Sequence, residues 1–287
     1  MIYKNEKLSK YSWFNLGGPA RIFFKPDSEN DLKNFIKKFS TEEKNIYILG
    51  AGSNTLFRDS GYDGVIIKLG KSFTHTKLLG NNRIEVGAAT LDKKVSEFAI
   101  ENSISGLEFL SCIPGSIGGA ISMNSGCYNY DISKVFLSLR AMNSSGEVKL
   151  FNKEEINFFY RGSDLQNGII ITSIRLKGKI EPKSKIEIKQ RELIERKKLS
   201  QPSQIKTCGS TFKNFSNEKK AWQLIKETGC DKFKEGDAAI SKKHCNFFVN
   251  NGNAKSSDIE KLINKVKKTV IDKTGVSLEL EIKIIGE

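Results

Sequence analysis

Apolar positions recur with two different periods along this chain, and the way those periods alternate outlines an α+β protein. Ala20–Lys25 reads as a strand. Pro26-Asp27-Ser28 then supplies a turn and a helix cap before Leu32, Phe35, Ile36 and Phe39 at helical spacing. Asn45–Leu49 is a short buried strand running into a glycine loop, Val65–Leu69 and Ile84–Val86 predict further strands, and Leu91–Glu101 predicts a helix. Several strands follow one another with no helix between them, unlike the alternation of a doubly wound sheet. Strand and turn dominate from about Gly106 to Lys179, and Gln190–Lys198 reads as an exposed helix. Ile259, Leu262, Ile263, Val266, Val270 and Ile271 mark one face of a longer helix. Ser257 and Glu260 stand at capping-box spacing near its start, and Gly275 lies just past its end. Leu278–Ile285 predicts a closing strand. A turn to charged composition at Glu181 suggests a boundary, giving two subdomains over 1–70 and 71–181 and a C-terminal domain over 182–287.

Composition narrows this picture only slightly. Apolar residues make up 38% and charged residues 28%, so the chain is globular and neither fibrous nor disordered. Its 47 basic and 33 acidic residues leave a net charge of +14, which raises the question of nucleic acid. The lysines are spread along the whole length, as in Lys33, Lys37, Lys93, Lys94, Lys267 and Lys268, which fits solvated helix faces better than a nucleic-acid footprint. A basic cleft for an anionic small substrate stays open. The polar start, Met1 to Lys7, lacks the apolar core of a signal peptide, and no stretch has the length of a membrane span. Cys112, Cys127, Cys208, Cys230 and Cys245 are scattered without CxxC spacing, and His75 and His244 are the only histidines. The expectation is a cytoplasmic protein with reduced thiols and no metal site.

Two familiar nucleotide motifs fail on inspection. Gly50-Ala-Gly52-Ser-Asn-Thr55 follows a strand but has Thr55 where a dinucleotide fingerprint needs its third glycine. Gly64 to Ser72 has five residues between its glycines where a P-loop has four, and its interior is an apolar strand. The chain also lacks a GxSxG elbow and an HExxH pair. What survives is a pair of glycine-rich loops, Leu49–Thr55 and Ile113–Ala120. Glycine lets several backbone N–H groups turn toward one point and lets a phosphate come close to them. Two such loops suit the pyrophosphate of a dinucleotide, or each is simply a tight turn. Met123-Asn124-Ser-Gly126, just after the second loop, adds polar groups that favour the cofactor.

The run from Gly106 to Gly126 (GLEFLSCIPGSIGGAISMNSG) closely resembles the UDP-N-acetylenolpyruvoylglucosamine reductase family, also called UDP-N-acetylmuramate dehydrogenases. Phe14–Ala20, Leu49–Leu56, Tyr160–Ser163, Gly209–Asn214, Ser241–Asn250 and Leu278–Gly286 occur in the family's order and span nearly the full chain. The resemblance implies a vanillyl-alcohol-oxidase-type FAD domain of two subdomains and a C-terminal α+β substrate domain. The chain's length suggests the shorter form, without the extra substrate-closing loop. It also implies non-covalent FAD, NADPH as hydride donor, and reduction of UDP-N-acetylglucosamine enolpyruvate to UDP-N-acetylmuramate. Hydride would pass from flavin N5 to the methylene carbon, and protonation of the neighbouring carbon would complete the lactyl ether. Covalent flavin linkage occurs in the wider superfamily, with His75, Cys112 and Cys127 as formal candidates, and the reductase resemblance argues against it. A monomer with no nucleic-acid or membrane partner is expected.

By family position, Arg161, Ser210 and Glu281 carry the chemistry. Ser210 is the proton donor, while Arg161 and a protonated Glu281 stabilise the enolate. Singly, these residues read as a surface ion-pair partner, a turn serine and an outward strand residue; their joint placement in three matching motifs speaks for catalysis. FAD is assigned to Gly50, Ala51, Gly52, Ser53, Asn54, Thr55, Ile113, Pro114, Gly115, Ser116, Gly118, Gly119, Asn124 and Gly126. Tyr160, Lys198, Asn214 and His244 fall where the family contacts substrate, although His244 equally suits a buried, hydrogen-bonded histidine. Phe215 and Leu280 replace usual prolines, and Cys208 stands where a small residue is common. Two rivals remain at this point. A different FAD-domain oxidase would need the glycine loops but not Arg161, Ser210 and Glu281 together. A basic binding protein would bind no flavin.

Overall fold

Ile170–Lys177 shows how the first half of the molecule is built. Ile174 and Leu176 are buried while Arg175 and Lys177 face out, the period of two that a strand with one covered face requires. It is the central strand of a five-stranded antiparallel sheet in the order Val148–Asn152, Phe136–Met142, Ile170–Lys177, Arg83–Gly87, Thr76–Gly80. A four-stranded sheet has the order Ile2–Lys7, Pro19–Phe24, Tyr62–Ile67, Ile46–Ile48, and its last two strands run parallel. The computed structural model describes residues 1–39, 45–166, 168–216 and 219–287.

The chain divides into two compact units, Met1–Tyr3 with Ile22–Ala51 and Gly64–Lys197, and Lys4–Arg21 with Gly52–Asp63 and Lys198–Glu287. In the first, helix α1 (Glu29–Phe39) starts where Ser28 Oγ accepts the Asp31 N–H at 3.0 Å. It buries Leu32, Phe35 and Ile36 against Phe24, Val65 and Ile67. Helices α2 (Asp92–Glu101) and α3 (Ile117–Ser122) share a core with the five-stranded sheet, through Val95, Ala99, Ile117 and Ile121 against Ile84, Val86, Ile174 and Leu176. Helix α4 (Lys183–Ser200) buries only Ile186, as its charged sequence predicts, and extends well beyond the predicted Gln190–Lys198.

The second unit is organised around two helices, α5 (Ala221–Glu227) and α6 (Ser256–Thr274). The predicted inner face of α6 is buried at Ile259, Leu262, Ile263, Val266 and Val270, whereas Ile271 is 44% exposed and lies off the stripe. The start of α6 also differs from the capping box expected of Ser257 and Glu260. Asp59, far away in sequence, accepts the Ser256 and Ser257 N–H groups at 2.9 and 3.0 Å. Asp258 takes the Lys255 N–H, and Glu260 instead pairs with Arg58 at 2.9 Å. Burial by itself would raise the Asp59 carboxyl, but the N–H groups and side chains of Ser256 and Ser257 together more than offset it and hold its pKa below the usual value. Gly275, at φ +71°, closes the helix as expected.

The closing strand is shorter than predicted, Lys283–Ile285, and lies parallel to Thr55–Phe57. Residues before it pair elsewhere. Leu280 bridges Phe212, and Lys213 N–H bonds the Glu279 carbonyl at 2.8 Å. The pairing of Thr55 with Lys283 also explains why Gly52–Asp63 groups with the C-terminal residues, which no local pattern records.

Candidate active site

The two glycine-rich loops meet within the first unit. A Cβ placed on Gly50 would stand 2.8 Å from Ser116 Oγ and 3.9 Å from the Gly119 Cα, so the second loop comes close to the place a side chain at Gly50 would need. Gly118 is equally confined, with its hypothetical Cβ 3.0 Å from the Ala88 carbonyl. Gly50, Ala51, Ser116, Gly118 and Gly119 line a cavity of about 360 Å³ together with an apolar wall that includes Leu49, Leu69 and Ile171. Lys25, Lys68 and Lys71 also line it, and among the described residues no carboxylate does. Lys68 Nζ donates to the Gly50 carbonyl. Burial lowers the Lys68 pKa, and the neighbouring Lys25 charge lowers it further. An anion in this cavity would relieve both effects. Small backbone-lined loops, apolar walls and crowded ammonium groups fit a pyrophosphate-bearing dinucleotide such as FAD.

Lys25 and Lys68 are not among the residues that the sequence alone singles out. The one signal it offers is a lysine inside the otherwise apolar run Val65–Leu69. The other expected cofactor residues have varied surroundings. Gly115 packs on a carboxyl: its Cβ would be 2.6 Å from Asp92 Oδ2. Ile113 and Pro114 precede it in the turn that leaves the 3-10 segment Glu108–Cys112. Gly52, Ser53, Asn54 and Thr55 belong to the second unit. There Gly52, at φ +73°, has no room for a Cβ beside the Tyr11 carbonyl, and Thr55 opens the buried strand Thr55–Phe57.

Arg161 sits in the tight turn of a small hairpin, Phe158–Phe159 with Gly162–Ser163, at φ +59°. Such a conformation is strained for an arginine and must be held by its surroundings. Asn124 holds the hairpin, donating from Nδ2 to the Phe159 carbonyl at 3.0 Å, while its Oδ1 accepts the Ser133 N–H. Arg161 Nη2 bonds the Gly126 carbonyl at 3.2 Å, and its guanidinium lies 4.9 Å from the Tyr160 ring centroid. The side chain of Asn124 and the backbone of Gly126 thus position Arg161.

Ser210 and Glu281 come together in the second unit. Ser210 bridges Phe247, and the Glu281 N–H bonds the carbonyl of Thr211, the next residue after Ser210, at 2.8 Å. Asn54 Nδ2 donates to the Glu281 carbonyl at 2.9 Å, which brings the tip of the first loop to the same place. Gly209, at φ +78°, sets the direction of the turn. Asn246, not a candidate from sequence, locks this segment. Its Oδ1 accepts the Phe212 N–H, its Nδ2 donates to the Phe212 carbonyl, and its own carbonyl accepts the Thr211 N–H. Both Ser210 and Glu281 are half-buried.

The proposed substrate residues are more dispersed. Tyr160 and Lys198 are exposed, and the Lys198 carbonyl accepts from Lys243 Nζ. Asn214 Oδ1 accepts the Ala221 N–H at 3.2 Å at the start of α5. His244 is half-buried with its ring 4.8 Å from that of Phe247, and burial lowers its pKa, so the ring is neutral near pH 7. Among the described residues no group of three or more His, Cys, Asp or Glu side chains could hold a metal, and no helix is long and apolar enough to cross a membrane.

Comparison with known proteins supplies the family. Residues 20–152 match an FAD binding domain, and residues 201–285 match the UDP-N-acetylenolpyruvoylglucosamine reductase C-terminal domain. A UDP-N-acetylenolpyruvoylglucosamine reductase of Pelagibacter ubique (strain HTCC1062) is 48% identical over 280 residues, covering 97% of this chain and 92% of that protein. One from Orientia tsutsugamushi (strain Ikeda) is 44% identical, covering 99% of this chain and 94% of its own. The crystal structure of the UDP-N-acetylenolpyruvylglucosamine reductase of Thermus caldophilus superposes with a TM-score of 0.86 at 33% identity, over 99% of this chain and 98% of that one. With two such domain matches and full-length relatives, the chain belongs to the UDP-N-acetylenolpyruvoylglucosamine reductase family.

Proposed function

We propose that Arg161, Ser210 and Glu281 carry the family's chemistry in this chain. As a family member the chain is an FAD-containing oxidoreductase that reduces UDP-N-acetylglucosamine enolpyruvate to UDP-N-acetylmuramate, a precursor for peptidoglycan. FAD, held by the glycine loops and lysines that line the cavity of the first unit, would supply hydride transfer from NADPH to the methylene carbon of the enolpyruvyl ether.

The chain's own residues handle the charge and the proton. Negative charge develops on the carbon next to the substrate carboxylate and spreads into that carboxylate. The Arg161 guanidinium, fixed by the Gly126 carbonyl, holds it, and Glu281 in its acid form donates a hydrogen bond to it. Ser210 Oγ–H gives its proton to the carbon. A hydroxyl is a weak acid, so this transfer needs a basic carbanion as acceptor, which the hydride step creates. The observation that supports this reading is the bond from the Glu281 N–H to the Thr211 carbonyl, which pairs the backbone of Glu281 with the residue next to Ser210. Lys198, with Lys243 beside it, suits the substrate diphosphate, and Tyr160, Asn214 and His244 are, by family position, the remaining candidates for substrate contact. The same reading makes the chain a monomeric cytoplasmic enzyme without a nucleic-acid partner.

An absorbance experiment tests it. The purified protein is followed anaerobically as NADPH and then UDP-N-acetylglucosamine enolpyruvate are added. Flavin bands should bleach with the first and return with the second. Bands that bleach and never return would remove the substrate assignment.

A further inference from the structure

Helix α5 covers one face and leaves one aromatic out. Ala221, Leu224 and Ile225 are buried in the core of the second unit, while Trp222, between them in the chain, is 39% exposed. A single exposed aromatic needs no explanation by itself. This one has a neighbour whose polar atoms are set for a ligand. The His244 ring centroid lies 6.4 Å from that of Trp222 and the planes are tilted by 59°, so the imidazole stands beside the indole and is not stacked over its face.

The backbone fixes the tautomer of His244. Nδ1 accepts the Asn246 N–H at 3.3 Å, so in the neutral ring the proton sits on Nε2. Among the described residues nothing accepts that proton, and the ring's other contacts are with Trp222 and Phe247. The half-buried imidazole thus offers one N–H whose direction is already set.

Two further bonds tie this pair to the proposed site. Asn214 Oδ1 accepts the Ala221 N–H at 3.2 Å, which joins the segment after Ser210 to the residue before Trp222. Lys243, the residue before His244, donates from Nζ to the Lys198 carbonyl, which bonds the His244 segment to the one whose lysine suits the diphosphate.

We propose that Trp222 and His244 seat the uracil base of the sugar nucleotide, the base lying on the indole face and one of its ring carbonyls accepting from His244 Nε2–H. Uracil is flat and uncharged, with a carbonyl on each side of its N3–H. Stacking on an aromatic holds any base, and the fixed donor adds the demand for a carbonyl. This seat rests on the reading above in which the second unit takes the diphosphate beside Lys198 and Lys243, and not on the roles of Arg161, Ser210 and Glu281.

The test uses the FAD-loaded enzyme and UMP, which carries the base and one phosphate but nothing for the flavin to reduce. The chain has two tryptophans, Trp13 and Trp222, so tryptophan emission reports on two places only. UMP should quench that emission. Trp222→Phe should abolish the quenching while calorimetry finds the affinity nearly unchanged, because a phenyl ring still stacks. Trp222→Ala should weaken UMP binding about 5- to 150-fold. His244→Asn keeps an acceptor near the place of Nδ1 and deletes the Nε2–H, and should weaken it about 2- to 10-fold. Ribose 5-phosphate, which lacks the base, should bind more weakly than UMP to the wild type and equally to all four proteins. Quenching that survives in Trp222→Phe, wild-type affinity in Trp222→Ala, or ribose 5-phosphate binding as tightly as UMP overturns the stacking. Full affinity in His244→Asn overturns the donor. Should the enolpyruvyl substrate fail to reoxidise the flavin while UMP behaves as expected, the catalytic reading falls and the base seat stands.

Discussion

The glycine-lined cavity of the first unit and the Ser210–Glu281 cluster of the second are built by opposite means. The cavity is made by omission. Gly50, Gly118 and Gly119 withhold side chains so that two loops close on one space, and at Gly50 and Gly118 neighbouring atoms leave little room to restore them. The cluster is made by positioning. Ser210 and Glu281 are ordinary residue types whose places are fixed by backbone bonds from distant segments, through Thr211, Phe247 and the clamp of Asn246 on Phe212. A region of the first kind should suffer from added carbon and from lost counter-charge. A region of the second kind should suffer from lost protons and lost clamps, and the damage should fall on one half-reaction.

The largest expected effect tests the second region. Ser210→Ala should slow flavin reoxidation by the enolpyruvyl substrate by about 10²–10⁴-fold and leave reduction by NADPH nearly intact. Anaerobic stopped-flow absorbance separates the two steps, and equal damage to both would remove Ser210 as proton donor. Asn246→Leu keeps the volume of a buried side chain but drops both of its side-chain hydrogen bonds to Phe212, in the segment that carries Ser210. It should cost the same step up to about 10²-fold while FAD affinity holds. A fall in FAD affinity instead would show that the two regions do not fail independently.

Lys68→Met sharpens the comparison from the other side. It keeps the aliphatic stem and deletes the ammonium crowded against Lys25 at the cavity wall. Loss of a charged hydrogen bond to the pyrophosphate, about 1.5–3 kcal/mol, weakens FAD binding roughly 10- to 150-fold. Fluorescence titration at two salt concentrations reads this, and the gap between wild type and variant should narrow at high salt. Unchanged affinity would mean that backbone N–H groups alone hold the phosphates.

The same contrast governs what the sequence can reveal. Glycine runs are visible because few other demands place so many together, so both loops stand out in the bare string of residues. The α6 stripe and the Ser28 cap of α1 are legible for the same local reason: each signal lies within one turn or two of the residue it serves. Ser210, Glu281 and Arg161 can be singled out only by resemblance, because what makes them special lies elsewhere in the chain. Asn246, Lys68 and the Asp59 cap of α6 leave almost no trace, since each acts on a segment remote in sequence. The boundary predicted near residue 181 reads a real change in composition, but composition cannot record that Gly52–Asp63 groups with the C-terminal residues.

The smallest expected effect concerns a residue that departs from the omission rule on which the cavity is built. Asp92, the first residue of α2, is fully buried against Gly115 of the second loop, and among the described residues neither carboxyl oxygen has a hydrogen-bond partner. Burial raises its pKa well above the ordinary 3.8. Between 3.8 and the raised value the folded protein holds a proton that the unfolded chain has lost, so stability must fall as pH rises through that window. Each unit of elevation is worth about 1.4 kcal/mol at a pH above both values. Asp92→Asn removes this titration without changing shape. Urea unfolding should therefore find the two proteins alike near pH 4 and the variant increasingly the more stable toward pH 8. Parallel curves would mean that Asp92 is ionised in the folded state, with a compensating charge under the second loop. The cavity would then depend on a placed side chain after all, and the contrast with the Ser210–Glu281 cluster would be one of degree.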